Sequence, residues 1–239
     1  MEERKLPIGE HLEELRQVLT VSVVAVILAT ATSYFAWGEE LYELVVSPLH
    51  TYDVDLVYIG MAEALLARVK LAVLSGLVLA LPVILWKVWG FIAPALFPHE
   101  RRFLLTLIPL ALLLFGLGTV FAYLLVFKFV ARFLLVMVRA EGLVPMLSIG
   151  QYISFLVSFL IPFGLVFELP LVVYFLARIG LLDHRWLSRN RKFALLVFLS
   201  VSAVLTPPDV ISQILLTGPM ALLYEVGVVV AWLVRGRGG

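Results

Sequence analysis

Apolar residues along this chain come in long blocks rather than in strict alternation. Six blocks stand out, at about 18–37, 69–89, 103–127, 152–177, 193–206 and 211–234, each flanked by charged or turn-forming residues. Five of them reach the roughly 20 residues that carry a helix across a bilayer. Aromatic residues mark several block ends (Trp37, Trp86, Trp89, Tyr123 and Trp232), as expected at headgroup level. The fifth block is short: about 14 residues rise roughly 21 Å, against a hydrocarbon core of about 30 Å. Pro207 and Pro208 stop that helix, because neither has a backbone N–H and Thr206 is pushed out of helical geometry. The pattern predicts an all-α integral membrane protein over 1–239, a single transmembrane domain with six spans. Pro162 and Pro170 are expected to kink the fourth helix. The fifth and sixth are expected to be short, forming a tight hairpin that thins the bilayer locally.

Composition supports the membrane reading. Of 239 residues, 62% are hydrophobic and 15% charged, with a mean hydropathy of +1.06. Soluble domains carry about 45–50% apolar and about 25% charged residues. A β-barrel would show short alternating segments, which are absent. Lys and Arg divide thirteen to five between alternate connecting segments if both termini lie inside, so both are expected in the cytoplasm. The expected location is therefore a cytoplasmic (inner) membrane. The N-terminal "MEERKLPIGEHLEELRQ" is too acidic for a cleavable signal. Two outer connections are expected to be helical and to form a cap: "GEELYELVVSPLH", ended near Pro48, and an interfacial amphipathic helix over 128–141.

Candidate chemistry is sparse. His11, His50, His99 and His184 all fall in flanks or loops, and neither HExxH nor GxSxG occurs. No enzyme activity and no cofactor is expected. A net charge of +1, without a basic run or zinc-ligand cluster, gives no reason to expect nucleic acid. In "GEHLEELR", Glu10 and Glu14 share a helical face and Glu13 pairs with Arg16; spacing alone reads as a solvated helix entry. In "FIAPALFPHERR", Pro94 and Pro98 stiffen a loop and Glu100 falls in the first turn of the next helix, complementing its dipole. A held carboxylate there is equally an acceptor for an incoming arginine, with Phe91 beside it.

Glu168, in "FGLVFELP", stands near the middle of the fourth block. A charge at that depth costs at least about 2.5–3.5 kcal/mol, so the carboxyl needs a proton or a polar partner. Ser154 and Ser158 give its helix a loose polar stripe, and the two prolines free backbone carbonyls as internal acceptors. Thr206 and Asp209 read as capping residues around the second hairpin turn. Gln213, one turn further on, is harder to explain that way, and Glu225 lies in the inner half of the last block.

Five stretches in order, "HLEELR", "FIAPALFPHERR", "FAYLLVF" at 121–127, "FELP" and "LTPPDVISQ" at 205–213, resemble TatC, the multi-spanning subunit of twin-arginine protein translocase. The resemblance covers about residues 8 to 235. It implies a receptor that binds signal peptides carrying an arginine pair. It also implies assembly with the single-span TatA and TatB proteins, self-association in a larger complex, and proton-motive-force-driven export of folded proteins. By motif, Glu14 and Glu100 would receive the arginine pair, with Arg16 and Phe91 in the same patch. Glu168, Thr206 and Gln213 would meet substrate or partner helices. Pro48, Tyr123 and Asp209 match positions with structural or functional importance. The alternative from the residues is a proton-coupled small-solute transporter using Glu168, although the internal repeats common in such folds are absent.

Overall fold

The computed structural model describes residues 8–50, 56–92, 98–130, 132–133, 136, 147–205 and 210–235. In chain order the elements are α1 (Ile8–His50), β1 (Leu56–Val57), α2 (Glu63–Ile92), α3 (Pro98–Phe121), a π-helical stretch (Ala122–Phe127) and β2 (Leu147–Ser148). Then follow α4 (Ile149–Phe167), α5 (Leu169–Arg178), α6 (His184–Arg189), α7 (Arg191–Leu205) and α8 (Val210–Arg235). Five helical stretches are long and apolar enough to cross a membrane: Leu12–Ser47, Glu63–Phe91, Leu107–Val130, Ile149–Arg178 and Gln213–Val234. The short fifth block becomes α7, whose 15 residues rise only about 22 Å.

One expectation changes. The sixth helix is not short: α8 runs 26 residues, and Pro219 lies inside it without ending it. The outer helix expected after residue 38 is present: α1 kinks at Trp37, whose backbone is non-helical (φ −137°, ψ 15°), and the helix beyond the kink runs through Pro48 to His50. Of the amphipathic stretch 128–141, residues 128–130, 132–133 and 136 are helical, and the remainder lies outside the described residues. The π-helical stretch was not legible in the pattern; its wider winding turns Ala122, Val126 and Phe127 inward together.

The helices group into two compact units, Met1–Pro48 with Ala64–Leu112, and Leu49–Glu63 with Leu113–Gly239. In the first unit α1 and α2 run antiparallel. Thr30 backs onto Gly76, the Ser33 and Ser75 hydroxyls bond each other, and Glu39 faces Arg68. Gly76 is required by this approach, because a Cβ there would stand 2.6 Å from the Thr30 Cα. Small residues at helix crossings are how membrane helices come close without a hydrophobic driving force.

The second unit has a different core. Phe127 is fully buried, with Tyr152, Phe155 and Phe159 around it at centroid distances of 5.4, 5.9 and 6.4 Å. Nearby, α3 and α4 cross through reciprocal glycines. A Cβ on Gly118 would meet the Phe163 carbonyl oxygen at 2.7 Å, and one on Gly164 would meet the Phe115 ring at 2.6 Å. Further on, α5 and α7 pack against α8, and Val173, Leu187, Tyr224, Val228 and Ala231 form a buried cluster with α6. The turn out of α5 uses Gly180 at φ 77°, and Asp183 caps α6 by accepting from the Arg185 N–H at 3.2 Å.

Candidate functional site

The acidic patch expected from the sequence falls in the first unit. Glu13 and Arg16 are exposed and pair at 3.5 Å across one turn of α1, while Glu14 is half-buried. Fifteen residues from the Thr30–Gly76 crossing, toward the start of α1 and the end of α2, stand Leu15 and Phe91. The antiparallel register, continued along both helices, therefore levels Phe91 with Glu14 and Arg16. Glu100 is the third residue of α3, which begins after the short connection 93–97, so it starts from that same end. Its side chain lies outside the described residues.

Glu168 belongs to the second unit and has its own backbone setting. It separates α4 from α5, serving as C-cap of the first and N-cap of the second. Its N–H bonds the Leu165 carbonyl at 3.1 Å, and its carbonyl accepts from Leu171 and Val172 at 3.0 and 2.9 Å. Pro170 explains the break: without an N–H it cannot continue α4, yet it fits the first turn of α5, where no donor is needed. The side chain is half-buried next to the glycine crossing. It faces the backbone of Phe115, and its Oε1 is buried with no hydrogen-bond partner. The expected serine stripe does not serve it. The Ser154 hydroxyl donates to the Gly150 carbonyl, and that of Ser158 donates to Phe155 and Leu205. An unpartnered buried oxygen costs about 1–3 kcal/mol.

The α7–α8 hairpin contains a polar chain. Gln213 Nε2 donates to the Leu199 carbonyl at 3.0 Å, and the Thr217 hydroxyl donates to the Gln213 carbonyl at 2.8 Å. Thr217 meets the buried Ser202 hydroxyl at 2.9 Å. Gln213 was expected here; Ser202 and Thr217 were not, although a serine and a threonine one helical turn from other polar groups are a usable signal. Thr206 and Asp209 lie outside the described residues. Tyr123 sits in the π-helical stretch, stacked on Phe127 at 6.3 Å, with Lys128 Nζ 5.2 Å from its ring centroid. Pro48 lies inside α1, with its side chain outside the described residues.

Sequence reasoning missed Glu63 entirely. Its carboxylate accepts from the backbone of Ile59 and Gly60 at 2.6 and 3.2 Å, from Gly150 at 3.0 Å, and from the Ser148 hydroxyl. It thereby ties the start of α2 to the start of α4, beside the parallel pair Leu56↔Leu147 and Val57↔Ser148. The signal available was Ser148 with Gln151 three residues on, a capping-box pattern; Ser148 does accept from the Gln151 N–H at 3.3 Å. Its partner, 85 residues away, was not readable. Among the described residues, no cluster of His, Asp or Glu could hold a metal ion.

Comparison with known proteins completes the picture. Residues 10–219 match the family model for the Sec-independent protein translocase protein (TatC). A Sec-independent protein translocase protein TatC of Carboxydothermus hydrogenoformans is 44% identical over 238 residues, covering 99% of this chain and 97% of that protein. The Aquifex aeolicus protein of the same description is 34% identical over 226 residues, 93% of each. A crystal structure of a twin-arginine translocase receptor, TatC, superposes with a TM-score of 0.86 at 32% identity, over 94% of this chain and 99% of that one. With a family match over most of its length, near-full-length relatives and a shared fold, this chain belongs to the TatC family of Sec-independent protein translocases.

Proposed function

We propose that this protein is the receptor subunit of a twin-arginine translocase, binding arginine-pair signal peptides at Glu14 and Glu100 on the cytoplasmic side of an inner membrane. The observation that carries this reading is the α1–α2 register, which levels Phe91 with Glu14 and Arg16 at the end from which Glu100 begins α3. A guanidinium pairs two-to-two with a carboxylate, and two adjacent arginines call for more than one acid. Lysine lacks that fork. Each exposed pair contributes only about 0–1 kcal/mol, so the apolar part of the signal adds binding along the helices.

In this reading both termini are cytoplasmic, and α7 is a short sixth membrane segment that thins the bilayer around the hairpin. Glu168 and the Gln213 chain meet apolar helices of substrate or of TatA- and TatB-like partners. Several copies self-associate, because six helices enclose no passage wide enough for a folded protein, and export draws on the proton-motive force. The test is copurification of the intact protein with a twin-arginine signal peptide and with its twin-lysine version. Strong capture of the first alone is expected, lost in the combined variant Glu14→Ala, Glu100→Ala while the protein elutes as before. Equal capture of both peptides, or full capture by that variant, rejects the assignment.

A further inference from the structure

Where α1 departs from helical geometry at Trp37, a polar cavity of about 290 Å³ opens in the first unit. Tyr34, Phe35, Gly38, Glu39, Glu40 and Arg68 line it. An apolar groove of about 550 Å³ adjoins it and shares Tyr34 and Phe35. Its walls are Val26, Ile27 and Ala31 from α1 and Leu65, Val69 and Val73 from α2. From Val26 to Tyr34 it follows about 12 Å of helix. Only 6% of the apolar window of α1 is buried in protein, so this surface belongs to lipid or to a partner.

The cavity carries both signs of charge. Arg68 lies 3.8 Å from Glu39, too far for a hydrogen bond, and the two side chains are 44% and 77% exposed. The Arg68 guanidinium is steadied 5.5 Å from the Tyr42 ring centroid, which leaves its N–H groups available. Glu40 is exposed and has no ion-pair partner among the described residues. Trp37 and Arg68 fall at the ends of two apolar blocks, which is headgroup depth.

The geometry points to a bound glycerophospholipid with a zwitterionic, ethanolamine-type headgroup, its acyl chain along the α1–α2 groove, its phosphate on Arg68 and its ammonium on Glu39 and Glu40. A purely anionic headgroup would meet two carboxylates, and a purely cationic one would meet the guanidinium. A transmembrane helix seated in the groove would have to pass these charges with no free backbone group to offer them. A lipid ends there in a headgroup of matching charge.

The experiment uses the full-length protein in nanodiscs of equimolar phosphatidylethanolamine, phosphatidylglycerol and phosphatidylcholine, released into native mass spectrometry to count retained lipids. Retained phosphatidylethanolamine should exceed each of the others by about fivefold, the discrimination that partly exposed ion pairs supply. Arg68→Gln with Glu40→Gln should bring that ratio to about one. Ala31→Phe, at an exposed groove position, should lower retention of all three lipids without changing the fold. Equal retention by the unaltered protein, a preference for phosphatidylglycerol, or ratios untouched by the Arg68 and Glu40 substitutions would overturn the headgroup site. Retention unchanged by Ala31→Phe would overturn the acyl-chain seat.

Discussion

The two units bury different things. Among the described residues, the largest fully buried side chains of the second unit include Phe115, Phe127, Phe159, Phe163, Ile153 and Met220; from the first unit only Ser33 joins them. The first unit closes its α1–α2 crossing with Gly76, Ser33 and Ser75, and leaves most of α1 uncovered. The second interlocks aromatic rings with reciprocal glycines. The sparsely packed unit carries the acids Glu13 and Glu14 near the start of α1, while in the densely packed one Glu168 has a buried Oε1 with no hydrogen-bond partner among the described residues. A surface that meets a variable, mostly apolar ligand benefits from open helix faces. A buried acid needs rigid surroundings, or it would turn away and find its own donors.

This contrast can be tested by substitution. The largest effect is expected at Gly118. Alanine there must displace the Phe163 backbone, and such overpacking costs about 1–3 kcal/mol or more. Gly116→Ala, two residues away with nothing within 4 Å of the added methyl, should be neutral or slightly stabilising. Thermal denaturation in detergent decides; equal melting points for the two variants would refute the crossing. Gly76→Ala sharpens the contrast, since it should destabilise the first unit comparably through Thr30 despite the openness of α1.

Next comes Glu168. Replacement by Gln keeps a hydrogen-bonding group beside Phe115, whereas Ala removes it. Export of a twin-arginine reporter should survive Glu168→Gln and fail with Glu168→Ala. Full export by both would leave the carboxyl without a role. A smaller and purely structural effect is expected from Glu63→Ala. Hydrogen exchange should speed up at Ile59, Gly60 and Gly150, whose N–H groups lose their acceptor, while peptide capture by the first unit stays unchanged. Unaltered protection at all three amides would contradict the tie between α2 and α4.

The smallest effect belongs to Arg191. Its guanidinium grips Glu225 at 2.7 and 2.8 Å, but both side chains are about half exposed. Arg191→Ala should cost about 1 kcal/mol or less, and the difference should shrink as salt rises. A large salt-independent loss in a melting series would mean that the pair is desolvated.

What the sequence determined by itself was whatever repeats locally. Block length and composition gave the membrane helices, because every backbone polar group in a bilayer must be satisfied within its own segment. Pro170 marked the break beside Glu168, since a missing N–H acts on the nearest turn. The apolar block ending at Trp37 likewise located the kink in α1, and the helix beyond it runs past Pro48 to His50. The tertiary structure decided the rest. The β1–β2 pair, the Glu63 tie and the glycine crossings all join residues far apart in sequence. Their partners are chosen by packing, and no periodicity within one segment records which distant surface will fit against it.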